Sequence, residues 1–173
     1  MFTRGLTGHV ITMSYLVAGK VEHALVLNPH TKDEFYASKG RGAYLNNSRI
    51  RTSVARTLDK TTLAAQFPAT DRTAPYLSGQ LTVLSEVAEK GARVVMQDAP
   101  ALMLVNAAAG RLDAAWGIKL QEWEMQAALF IAKEAGCLFA NFDGSPSIEN
   151  GDVLCANPRL FKVLLPILNK HLA

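Results

Sequence analysis

The sequence predicts a layered α/β domain in which an antiparallel meander is followed by alternating helices and strands. Three observations predict it. Up to residue 70, short β-branched and apolar runs are separated by turn clusters such as Ala18-Gly19-Lys20 and Asn28-Pro29-His30-Thr31-Lys32-Asp33. Beyond Pro75 the apolar period lengthens from two residues to roughly 3.6, then switches back and forth. The chain of 173 residues is 49% hydrophobic and 19% charged, enough for one domain with a buried core and unlike a disordered chain. Residues 1–70 are expected to form the antiparallel sheet and 71–173 the α/β half of one layered domain.

In chain order, 9–18 and 21–28 read as a hairpin around Ala18-Gly19-Lys20, and Glu34 to Lys39 as a third strand. Gly40-Arg41-Gly42 allows a tight excursion before the short strand Ala43-Tyr44-Leu45, and Asn46-Asn47-Ser48 turns the chain into Arg49-Ile50-Arg51. Thr61 to Phe67, closed by Pro68, is expected to extend the meander. Leu77, Leu81, Leu84 and Ala88 then recur at helical spacing until Lys90-Gly91. After a strand at 92–97, Asp98 is the expected N-cap of a helix with Pro100 in its first turn, stopped by Gly110. Asp113 to Trp116 is a strand, Trp123 to Ala135 a helix, and Cys137 to Phe142 a strand. Val153 to Ala156 is the last strand, and Asn157-Pro158 opens a final helix ending near His171.

The net charge is +3 with no block of consecutive Lys or Arg, so neither nucleic-acid nor membrane-surface binding is implied. No apolar run reaches the roughly 20 residues of a membrane span, and MFTRGLTGHV lacks a signal-peptide core. Cys137 and Cys155 lie among apolar residues without zinc spacing, which suits buried reduced thiols in a cytoplasmic protein.

Chemistry-bearing residues are sparse. Glu122 and Glu124 fall at the start of the 123–135 helix, where a carboxylate either complements the helix dipole or ligates a hard cation such as Mg²⁺. Asp113 reads as a strand-end residue near Arg111, and Asp152 as a turn residue. His9, His23, His30 and His171 form no metal pair, and no P-loop, G-x-S-x-G or G-x-G-x-x-G is present. Arg49, Arg51 and Arg56 suit an ordinary charged strand edge.

The ordered segments resemble one family. Pro29, Glu34, Phe35, Ala37, Gly40, Gly42, Ala43 and Asn46 fall on the middle motif of the inositol monophosphatase family, and of its SuhB-like members in particular. AAAGRLDAAW, EWEMQAALFIAKEAGCLFANFDG and GDVLCANPRLFKVLL resemble its later motifs in order. The resemblance implies an αβαβα layered fold and a Mg²⁺-dependent phosphomonoesterase acting on a small phosphorylated polyol such as inositol 1-phosphate. It also implies a homodimer, with metal ions clamping phosphate and activating water. It places Glu124 at a metal-ligand position, with Trp123 beside it.

Departures accompany it. The family's D-P-[IL]-D-G-T signature, which carries most metal ligands, would lie immediately before Met1. The chain is therefore expected to begin one step after the catalytic centre, as a truncated domain without catalytic residues of its own. Glu124 replaces an Asp, displacing the carboxylate by about 1–1.5 Å, where a ligand tolerates roughly 0.5 Å. Asp98-Ala99-Pro100 stands in the family's Gly-[ST]-Ala loop, and Gly117 where a substrate-binding Glu belongs, with Lys119 close by. The chain is either a fragment of a working phosphatase or a degenerate paralogue that kept the fold. Since SuhB-like proteins also serve as partners in transcription complexes, a non-catalytic binding or regulatory role is the alternative function.

Overall fold

The computed structural model describes residues 3, 5, 7–67 and 71–173. Two five-stranded sheets alternate with two pairs of helices. The first sheet is the antiparallel meander β1 (Ile11–Val17), β2 (Lys20–Asn28), β3 (Asp33–Ser38), β4 (Gly42–Leu45) and β5 (Ser48–Ile50), in sequence order. Its turns take the left-handed conformations that primed hairpins need: Ala18 and Gly19 have φ of 48° and 74°, and Asn46 and Asn47 have 48° and 66°.

The second sheet runs β7 (Arg93–Met96), β6 (Thr62–Ala65), β8 (Ala114–Gly117), β10 (Val153–Ala156), β9 (Leu138–Ala140). β6 lies parallel to both β7 and β8, whereas β10 is antiparallel to β8 and β9. This corrects the expectation that the 61–67 strand continues the meander. Asp113 is one cause: its Oδ2 accepts from the Thr62 N–H at 2.8 Å, and its own N–H donates to the Thr62 carbonyl at 2.8 Å, stitching β6 to the start of β8. Arg111, expected near Asp113, instead pairs with Asp33 of β3 at 2.5 Å. Pro68, the expected end of the β6 run, lies outside the described residues.

Period-two burial sorts the second sheet. Ala64, Ala115, Val153 and Cys155 face one core with α2 (Pro100–Ala108), α3 (Glu122–Glu134) and the inner side of the meander, including Val26 and Phe35. Leu63, Ala65, Ala114, Trp116, Leu154 and Ala156 face the other core with α1 (Leu77–Glu89) and α4 (Pro158–Leu172). The order is therefore sheet, helices, sheet, helices: the layered α/β architecture expected, as a partial αβαβα sandwich. Cys137 and Cys155 are buried free thiols. No helix among the described residues is long and apolar enough to cross a membrane.

Two helix expectations change. α1 buries Gln80, Val83 and Val87, while Leu77 and Leu81 are exposed. Ala99, not Asp98, is the N-cap of α2, and the cap has no side-chain hydrogen bond. Asn157 caps α4 as expected, its Oδ1 accepting from the Arg159 and Leu160 N–H groups at 2.9 and 3.0 Å.

Candidate functional site

Helix α3 reaches its position through the loop 118–121, and that loop is clamped. Lys119 holds a left-handed φ of 55°, a strained state for a side chain with a β-carbon. Its N–H and Nζ donate to the two Asp152 carboxylate oxygens at 2.9 and 2.8 Å, and the Leu120 N–H donates to the Gly151 carbonyl at 2.8 Å. Burial works against the Lys119 charge, but hydrogen bonds to Asp152 and Tyr76 outweigh it and hold its pKa above the ordinary value. Asp152 is thus a buried anchor, not merely a turn residue.

The clamp delivers Gln121 as N-cap of α3, with Glu122, Trp123 and Glu124 in the first turn. Glu124 Oε2 accepts from the Gln121 backbone N–H at 2.7 Å, the carboxylate half of a capping box. In the amide orientation that satisfies both groups, Gln121 Oε1 accepts from the Arg72 guanidinium. Glu122 accepts from Gln126 Nε2 at 3.1 Å along the outer face. Trp123 is 70% exposed.

Glu124 and Trp123 form one wall of a cleft of about 240 Å³. Asp98, Ala99 and Pro100 at the start of α2 form a second wall, and Gly8, His9, Val10 and Thr12 a third. Thr12 Oγ1 donates to the Trp123 carbonyl at 3.4 Å, tying the rim of β1 to α3. The beginnings of two helices thus converge on one opening, a favourable place for an anion. Asp98 and Glu124 bring negative charge to the same opening. His9 joins the cleft although nothing in its sequence spacing marks it. His23 and His171 lie elsewhere, bonded to Ser38 and Glu86.

Gly117, where the resemblance implies a substrate-binding Glu, is closed to a side chain as the loop stands. A β-carbon there would lie 2.5 Å from Leu120 Cδ1. Lys119 points to Asp152, outside the cleft residues.

A magnesium ion prefers near-octahedral oxygen coordination from carboxylates, waters and phosphate. Here Glu124 has one oxygen committed to its helix cap, and among the described residues no group of three or more His, Cys, Asp or Glu is arranged to hold a metal. These residues do not fit a complete Mg²⁺ site, and no chemical step is derived through one.

The sequence profile of the inositol monophosphatase family matches residues 1–173. The chain belongs to the inositol monophosphatase family. Among curated relatives, Nus factor SuhB of Pseudomonas aeruginosa is 36% identical over 172 residues, covering 99% of this chain and 64% of the relative. The chain therefore spans 64% of the length of that relative. The extragenic suppressor protein SuhB of Bartonella henselae superposes with a TM-score of 0.90 at 26% identity, over 98% of this chain and 64% of that one. An IMPase from Thermotoga maritima superposes at 0.84 and 24% identity, over 98% and 64%, which bears on fold alone. The fold that the sequence resemblance implied is thereby shown.

Proposed function

We propose that this chain is an inositol-phosphate phosphatase family member whose cleft at the starts of α2 and α3 is the place for a small phosphorylated polyol. We propose further that these 173 residues alone hydrolyse inositol 1-phosphate poorly or not at all. The observation that carries this reading is Glu124. The resemblance puts it at the family's metal-ligand position; in the structure it lines the cleft and accepts the Gln121 N–H on one carboxylate oxygen. Its other oxygen does not share that bond and is the freer donor for a cation. Cytoplasmic location and a homo-oligomer belong to the same reading.

The test is release of inorganic phosphate from inositol 1-phosphate with Mg²⁺, for the wild-type chain and Glu124→Asp. Wild-type turnover at or below 1 s⁻¹, roughly the low edge of ordinary enzymes, is expected. Turnover well above that overturns the impaired-site reading. Mg²⁺ or Mn²⁺ titration beside Glu124→Ala is expected to show no tight site dependent on Glu124. A second reading is a SuhB-like binding or regulatory role, favoured by relatives that bear the name Nus factor SuhB. It predicts that partner binding survives Glu124→Ala.

A further inference from the structure

Along α3, beyond the first turn that meets the capped cleft, runs a groove of about 390 Å³ that neither reading uses. Residues 126, 129, 130 and 133, spaced as one helix face, form one wall. Val21, Phe130, Phe139 and Ile148 are only partly buried and pack onto the core beneath, giving an apolar floor open to solvent. Such a floor in a concave, charged setting marks a binding surface more than ordinary surface scatter does.

The rim carries the chemistry. Lys20, Lys39 and Lys133 line it, against a single lining carboxylate, Glu134. Both Glu134 oxygens are already engaged, accepting from the Gly40 and Gly42 N–H groups at 3.0 and 2.9 Å. Lys39 pairs with Glu22 at 2.5 Å. Lys20 and Lys133 make no ion pair among the described residues. Past Gln126 and Ile148 the groove continues into a hollow lined by Glu122 and Glu149, so its charge changes sign along its length. An acidic occupant is attracted to the lysine end and repelled from the other.

We infer that this groove docks a short acidic peptide segment of another protein. Its aromatic or aliphatic side chains rest on Phe130 and Phe139, and its carboxylates lie over Lys20 and Lys133. The inference is independent of whether the cleft hydrolyses anything.

The probe is a fluorescein-labelled peptide, Asp-Asp-Phe-Asp-Asp-Leu-Leu-Ser-Phe, followed by anisotropy at dilute protein. The wild-type chain is expected to bind it in the range of about 10–100 µM, more weakly as salt rises. Lys20→Glu/Lys133→Glu, two exposed positions whose reversal leaves the fold intact by circular dichroism, is expected to weaken binding about tenfold or more. Replacing Phe and Leu in the peptide by Ser is expected to abolish it. Equal binding by the double variant overturns the inference, as does equal binding of the Ser peptide or of a version with Lys for Asp. A wild-type dimer that the double reversal separates, with no peptide binding, assigns the groove to a second copy and also overturns it.

Discussion

Single residues here act mostly through distant partners. Asp33 accepts from Arg111 and from Asn46 Nδ2, joining β3 to the segment before β8 and to the 46–47 turn. The Arg111 hydrogen bond outweighs partial burial and holds the Asp33 carboxyl below its usual range. A depressed folded pKa adds stability that is complete above the unfolded value of about 3.9 and is lost as pH falls through the folded value. Asp33→Asn is therefore expected to cost about 0.5–1 kcal/mol at pH 7 and less at pH 2. Urea unfolding of both proteins at the two pH values checks this; a gap that persists unchanged at pH 2 contradicts it. The sequence resemblance singled out Glu124 as a candidate over Glu122. That its carboxylate would be divided between a helix cap and a cleft was not legible there, because the loop clamp sets its direction.

At the scale of elements, α1 shows how an amphipathic pattern can be misregistered. Leu77 and Leu81 outweigh Gln80 on any hydropathy count, yet Gln80 is fully buried and they are exposed. The reason lies on β8: the buried Trp116 indole N–H donates to Gln80 Oε1 at 2.9 Å, and Gln80 Nε2 donates to the Gln66 carbonyl at 3.3 Å. Burying one glutamine satisfies the buried indole N–H. Gln80→Ala leaves that donor unpaired and is expected to destabilise by about 1–3 kcal/mol, whereas Leu81→Ala costs about 0.5 kcal/mol or less. Thermal unfolding of the two variants decides the register; the reverse order would refute it. Hairpins and caps behaved differently, since Ala18-Gly19, Asn46-Asn47 and Asn157-Pro158 act within a few residues of themselves.

For the whole molecule, the outer side of the meander matters most. Ile11, Met13 and Tyr15 are 50%, 61% and 62% exposed, beside Leu25, Leu27 and the stacked pair Tyr36–Tyr44, whose rings lie 5.3 Å apart. An apolar sheet face of this kind favours association. Concentration-dependent self-association is expected in gel filtration, reduced in Ile11→Thr/Met13→Lys. A clean monomer across the accessible concentration range would refute this.

By itself the sequence determined the order of strands and helices, the turns, most caps, the layered class and the resemblance to the inositol monophosphatase family. Those depend on φ preferences, apolar period and local motifs, all written within a few neighbouring residues. Only the tertiary structure decided that β6 joins the second sheet, that Arg111 answers Asp33, that Leu120 closes Gly117, and that His9 and Asp98 share a cleft with Glu124. It also decided that Lys20 and Lys133, 113 positions apart in the chain, border one groove. Each of these depends on which distant backbone groups and side chains satisfy one another, and that is settled by packing two sheets around a shared helix layer.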